Sequence, residues 1–275
     1  MKTILVPTDY SAISANAMNF AIELALKLGS KIILFHVLPI PIPTADLPIL
    51  TVAEEIEKAG EKRIQVLKEE IRSRTNGKLA VETVTRIGAD ISMEISTEIL
   101  ENGAGLVVMG VTGAGNLANV LIGSNTTSLM SKTKCPVLVI PGDARYAPLK
   151  KITFACDSDE SLPEKFLNTL APLQEAFHPQ FLVMHIQKQS KHVLVEREAH
   201  FSKRVLTALA PYHPEYYFPV AESIETAVDE FIKQHDANLL VMVPHERNLL
   251  ADLFHFSNTK KMAFHTHIPL LSIHE

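Results

Sequence analysis

The stretch Leu106-Val107-Val108-Met109-Gly110-Val111-Thr112-Gly113, continued further on by Gly123-Ser124-Asn125, decides how this chain is read. Four apolar residues in a row predict a strand covered on both faces, as in a parallel sheet. The spacing Gly110-x2-Gly113-x9-Gly123-Ser124 follows at once, and its last pair opens a short helical stretch. Glycine has no Cβ to keep a ligand off the main chain, and free N–H groups at a helix start favour negative charge. The pattern points to a backbone cradle for a phosphate chain.

The same segment recurs further along the chain without its glycines. Lys2–Asp9 aligns with Lys150–Asp157 at an offset of 148, and Phe35-His36-Val37 aligns with Met184-His185-Ile186 at 149. Leu106–Met109 aligns with Leu239–Met242, and Pro136-Val137-Leu138 with Pro269-Leu270-Leu271, both at 133. A tandem duplication accounts for this, with the shortening placed between Val37 and Ile91, where the first copy carries a proline-rich excursion. In the second copy Gly110 becomes Val243, Gly113 becomes Glu246 and Gly123 becomes Phe256, while Ser124-Asn125-Thr126 persists as Ser257-Asn258-Thr259. Phe256 would fill the space a phosphate needs. A Glu246 carboxylate about 5 Å from a phosphate charge would cost about 3 kcal/mol at an effective dielectric near 20.

Each copy alternates β-branched runs with helical periodicity, which predicts an α/β fold: two tandem open parallel five-stranded sheets with helices on both faces. In the first copy strands are expected near 2–7, 31–37, 79–86, 105–109 and 136–140, and helices near 14–28, 51–74, 91–102 and 124–132. In the second, strands are expected near 150–156, 179–186, 214–219, 238–243 and 269–273. Gly29 is the stop signal of the first helix, and Asp90 and Ser223 stand where N-caps belong. The predicted domains are 1–143 and 149–275, joined by the turn-rich segment 141–148.

Composition narrows the classes. The 275 residues are 47% hydrophobic and 21% charged, enough to bury a sizeable core, and the net charge of −5 argues against a nucleic-acid partner. Cys135 and Cys156 cannot form a disulfide framework and are expected as buried thiols. The N-terminus runs straight into a strand pattern, and the apolar stretch Ile32–Leu50 holds four prolines, so neither a signal peptide nor a membrane helix is expected. Cytoplasmic localisation is the expectation.

In open parallel sheets ligands bind beyond the carboxyl ends of strands, where the strand order reverses. Three segments end strands with suitable chemistry: Pro7-Thr8-Asp9, His36-Val37 and the Gly110–Ser124 loop. Asp9 offers a carboxylate to a base or ribose, Val37 offers backbone groups, and the glycine loop offers N–H donors to phosphates. An aspartate after a strand also commonly caps the next helix. His36 reads as a core histidine.

Ile4-Leu5-Val6-Pro7-Thr8-Asp9-Tyr10-Ser11, Leu34-Phe35-His36-Val37 and the glycine motif resemble the universal stress protein family, and the whole chain resembles its tandem-domain form. The resemblance implies a Rossmann-like sheet per domain and recognition of ATP, ADP or AMP, the nucleotide accompanied by Mg2+. Carried onto this sequence, it implies Pro7 and Asp9 near the base and Val37 at the adenine edge. Met109 and Gly110 would flank the ribose, with Gly113, Gly123, Ser124 and Asn125 at the phosphates. Asn125 departs from the family, which more often has a small apolar residue there; it could add a hydrogen bond or narrow the pocket. Stress response rests on the resemblance alone.

Three functions follow. The first is a nucleotide-binding regulatory module with the ligand in the first domain and a non-binding second domain. The second is a weak ATP hydrolase or phosphotransfer protein. The third is a structural interaction protein with a relict pocket or a zinc site in the second domain, where eleven of twelve histidines lie. His265 and His267 are the zinc candidates. Gly113-Ala114-Gly115-Asn116-Leu117-Ala118 also fits the dinucleotide fingerprint, but that fingerprint belongs on a domain's first strand. The sequence favours the regulatory module and no catalysis, because Val111–Asn125 contains no acid, base or lysine to hold a metal or orient an attacking group. The last strands of the two copies, 137–140 and 270–273, are apolar and would be exposed edges if unpaired. They are expected to pair the copies as an intramolecular pseudo-dimer. A protein partner is expected without being named, and a homodimer of chains is compatible with this.

Overall fold

The computed structural model describes residues 1–40, 49–111, 124–155, 162, 164–187, 203–243 and 267–274. They fall into two compact units, the first made of Met1–Val111 with residues 124–137, the second running from Leu138 onward. The border lies just before the turn-rich segment 141–148.

In the first unit β1 (Thr3–Pro7), β2 (Lys31–Leu38), β3 (Val81–Ile87) and β4 (Leu106–Val111) alternate with α1 (Ala12–Leu28), α2 (Ile49–Arg74) and α3 (Ile91–Asn102). Then comes α4 (Ser124–Lys132), and β5 (Val137–Pro141) starts at the border between the two units. The strands run in the order β3-β2-β1-β4, with β1 parallel to both β2 and β4. The expected elements are all present, within three residues at each end. Ile4, Leu5, Val6, Leu106, Val107 and Val108 are essentially inaccessible, as strands covered on two faces must be. Right-handed crossovers place α1 and α2 on one face and α3 and α4 on the other. Accordingly α1 lies on β1 and β4, α2 on β2 and β3, and α3 packs on α4.

Local chemistry sets the helix ends. Helix α1 starts two residues before the expected position because Ser11 caps it, its hydroxyl accepting from the Ser14 N–H at 3.2 Å. It stops at Gly29, whose φ of 63° sends the chain into the left-handed region. Asp90 caps α3 by accepting from the Met93 N–H.

In the second unit β6 (Lys151–Ala155), β7 (Gln180–Met184), β8 (Glu215–Tyr217), β9 (Leu239–Met242) and β10 (Leu270–Ser272) follow in chain order. The helices are α5 (Glu164–Phe177), α6 (Lys203–Leu209) and α7 (Ile224–His235). The parallel ladder runs β10-β9-β6-β7-β8, so β9, β6, β7 and β8 repeat the arrangement of β4, β1, β2 and β3. Backbone hydrogen bonds recur at the offsets read from the sequence. The Gly105 N–H donates to the Thr3 carbonyl (3.0 Å) as Asn238 does to Lys151 (2.9 Å). Val107 donates to Pro136 (2.9 Å) as Leu240 does to Pro269 (3.0 Å). Among the described residues no helix is long and apolar enough to cross a membrane.

Candidate functional site at the strand ends of the first unit

The carboxyl ends of β1, β2 and β4 lie side by side, because Pro7 pairs with Phe35 and Leu5 with Val107. The strand order reverses between β1 and β4, which is where such sheets take ligands. Pro7, Thr8 and Asp9 leave β1 at this edge, Val37 lies near the end of β2, and Met109 and Gly110 lie near the end of β4. Helix α3 starts just beyond the carboxyl end of β3, and α4 packs on that start, Ser128 Oγ lying 2.9 Å from Ser92 Oγ, which brings the first turn of α4 towards the same edge.

The turn after β1 is held by side chains. The Thr8 N–H donates to the Phe35 carbonyl at 2.8 Å, and the Thr8 hydroxyl accepts from the Tyr10 N–H at 3.1 Å. Thr8 Oγ1 also lies 3.2 Å from Ser14 Oγ, so this buried hydroxyl anchors the turn to α1. His36 Nδ1 sits 2.7 Å from the Thr8 carbonyl, which makes His36 a support of the turn, as a core histidine would be. Tyr10 has a φ of 64°, unusual for a non-glycine residue. Its ring packs edge-on to His36 at 4.6 Å, and the Arg63 guanidinium of α2 lies 3.8 Å from the ring centre. Burial pushes the Tyr10 phenol up and the Arg63 charge opposes it.

Asp9 is exposed, with Oδ1 accepting from the Ser11 N–H at 3.0 Å. Partial burial pushes its carboxyl up, but the hydrogen bonds from Ser11 and Ser14 outweigh this and hold it below its ordinary value. Asp9 is an ionised acceptor at neutral pH. The cap of α1 is Ser11 and not Asp9, whose Oδ1 takes the Ser11 N–H one step ahead of the helix while the carboxylate still faces solvent at the strand edge.

Gly110 has a packing reason of its own. A Cβ there would stand 2.7 Å from the Ile13 carbonyl oxygen and 2.7 Å from its Cγ2. The glycine lets α1 lie close on β4, whether or not a ligand approaches it too. Of the remaining expected residues, Ser124 opens α4 and Asn125 follows it, exposed. Gly113 and Gly123 lie outside the described residues, as do Glu246, Phe256 and the Gly113–Ala118 fingerprint. In the second unit Val243 is buried where the first has the half-exposed Gly110. His267 is exposed with Nδ1 2.7 Å from Asp143 Oδ2, and His265 lies outside the described residues.

Sequence reasoning missed Tyr10, Arg63 and the serines of the turn. The spacing Ser11-x2-Ser14 at a helix start was a usable capping signal. Nothing in the sequence joins Tyr10 to Arg63, which lie on separate elements.

The sequence pattern of the Universal stress protein family matches residues 1–141. Universal stress protein MJ0531 of Methanocaldococcus jannaschii is 30% identical over 152 residues, covering 50% of this chain and 81% of that protein. A universal stress protein of Archaeoglobus fulgidus has a similar fold over 99% of this chain and 98% of its own, with 15% identity and a TM-score of 0.75. A universal stress protein solved in complex with cAMP is 26% identical over 50% of this chain and 96% of its own, with a TM-score of 0.38. With the α/β fold, the strand-end site and the matched residues in agreement, the chain belongs to the universal stress protein family.

Proposed function

We propose that the first unit binds an adenine nucleotide, ATP, ADP or AMP, and acts as a regulatory module in a stress response rather than as an enzyme. The observation that carries this reading is the convergence of an ionised, exposed carboxylate (Asp9), the ends of β2 and β4, and the α4 N-terminus at the strand-order reversal. Asp9 can accept from the amine of the base or a ribose hydroxyl. The N–H groups that open α4 favour phosphate, and the glycine spacing ahead of α4 supports the same assignment. Mg2+ would accompany the phosphates, with no protein ligand assigned to it. In this reading the second unit binds no nucleotide and serves packing or partner contact. Val243 puts a side chain where the first unit has none, and Glu246 and Phe256 replace the other two motif glycines.

A thermal melt of the full chain tests this directly. A ligand at 100 times its dissociation constant stabilises the native state by about 2.7 kcal/mol. Saturating Mg-ATP or AMP is therefore expected to raise the melting temperature, and Gly123→Val to abolish the rise while leaving the ligand-free melt near wild type. No shift with any adenine nucleotide overturns the reading. Steady-state ATP turnover above about 1 s⁻¹, the low end for dedicated enzymes, overturns its non-catalytic part.

A further inference from the structure

The contact of α3 with α4 holds a polar cluster that the nucleotide reading does not use. Ser92, fully buried on α3, donates from Oγ to Asp90 Oδ1 at 2.7 Å and meets Ser128 Oγ of α4 at 2.9 Å. Lys132, in the last turn of α4, donates from Nζ to Ser92 Oγ at 3.2 Å and reaches Asp90 Oδ2 at 3.5 Å. Asp90 at the same time caps α3 through the Met93 N–H at 3.1 Å. The hydrogen bond from Ser92 is foremost in holding the Asp90 carboxyl below its ordinary value, followed by the Met93 N–H, with Lys132 adding to it.

Directional bonds inside a helix contact fix a register that apolar packing alone leaves looser. The register matters here because α4 is only nine residues long, so Ser128 stands about one turn from Ser124. Whatever fixes Ser128 and Lys132 against α3 also fixes where the first N–H groups of α4 point. The second copy supplies a contrast. Its offset-133 positions are Ser223, Glu225, Lys261 and His265, which keep a capping residue and none of the other three side chains. The cluster and the motif glycines are thus present together in one copy and missing together from the other.

We infer that Asp90, Ser92, Ser128 and Lys132 form a positioning device for the α4 N-terminus, setting affinity for the phosphates of the bound nucleotide without touching it. This inference rests on the nucleotide reading above. The test is calorimetric titration of the full chain with adenosine and with Mg-ATP, paired with amide hydrogen exchange of the ligand-free protein. Lys132→Met and Ser92→Ala are each expected to weaken ATP about tenfold, the scale on which a remote misplacement acts, and adenosine less than about twofold. Lys132→Arg, which keeps the charge and donors, is expected to retain most of the ATP affinity. The amides of residues 125–128 should exchange faster in Lys132→Met, with those of α1 unchanged. Equal weakening of adenosine and ATP, or none of either, overturns the positioning role. Unchanged exchange in α4 overturns the device itself. A wild-type chain that takes neither ligand overturns the nucleotide reading and the phosphate role with it, and the exchange data then report separately on whether the cluster holds α4.

Discussion

Between β3 and α3 the first unit packs charge, whereas between β8 and α7 the second packs rings. Arg86 Nη2 meets Glu98 Oε2 at 2.8 Å and Glu101 Oε2 at 2.6 Å, and Asn102 Nδ2 donates to Glu98 Oε1. At the positions of Glu98 and Asn102, the second copy has Phe231 and His235. Their rings lie 4.2 Å apart, and both meet Tyr217, at 5.0 and 4.6 Å. The backbone frame is the same in both, down to the Ala104 N–H donating to Ile99 as Ala237 does to Ile232. A frame that the two units share, set by main-chain bonds and buried strands, accepts either filling at its flank. The charged version, however, becomes sensitive to the loss of one partner and to acid.

Arg86→Met should show the largest effect. It leaves Glu98, whose side chain is 1% exposed, with Asn102 as its remaining partner among the described residues. Breaking a buried ion pair from one side typically costs about 3 kcal/mol or more. Denaturant unfolding at neutral pH, with hydrogen exchange to assign the loss to the first unit, checks this. The hydrogen bond and charge of Arg86 hold the Glu101 carboxyl below its ordinary value of 4.5. Its contribution is therefore fully present above that value and fades as pH falls through the lower folded one. The variant should accordingly lose less stability than wild type on acidification. No neutral-pH change on Arg86→Met would mean that the two flanks are energetically alike.

Gly110→Ala sharpens the second contrast, with buried Val243. The added Cβ would meet the Ile13 carbonyl oxygen at 2.7 Å, so α1 must shift, at a cost of about 2 kcal/mol. A variant of wild-type stability that has nonetheless lost nucleotide binding would assign this glycine to the ligand rather than to the helix. The smallest effect is expected for Ser223→Ala, which removes the cap of α7 and should cost about 1 kcal/mol in denaturant unfolding. Asp90→Ala should perturb its own helix more broadly, since Asp90 also holds Ser92 and Lys132. Equal effects of the two would argue that the extra bonds of Asp90 carry little.

The elements of both copies were legible in the sequence for a simple reason. Strands covered on two faces must be continuously apolar, as Ile4–Val6 and Leu106–Met109 are. The helix ends at Gly29, Asp90 and Ser223 were legible because capping is local chemistry. Asp9 and Gly110 could be placed at the strand ends, but their full roles could not. Asp9 serves both the α1 entry and the solvent-facing edge, and Gly110 makes room for Ile13. A glycine in a sequence says that something approaches closely without saying what.

By itself, then, the sequence determined the α/β architecture, the course of its strands and the place of Asp9 and Gly110 at the carboxyl edge of the first sheet, because periodicity and capping are properties of the chain alone. Only the tertiary structure decided that Arg86 is shared by carboxylates of α3, that Arg63 lies over Tyr10, and that Lys132 and Ser128 of α4 are tied to Asp90 and Ser92 of α3. Each of these joins residues of different elements. Such pairings depend on how a helix face turns against its neighbour, and no spacing along the chain records that.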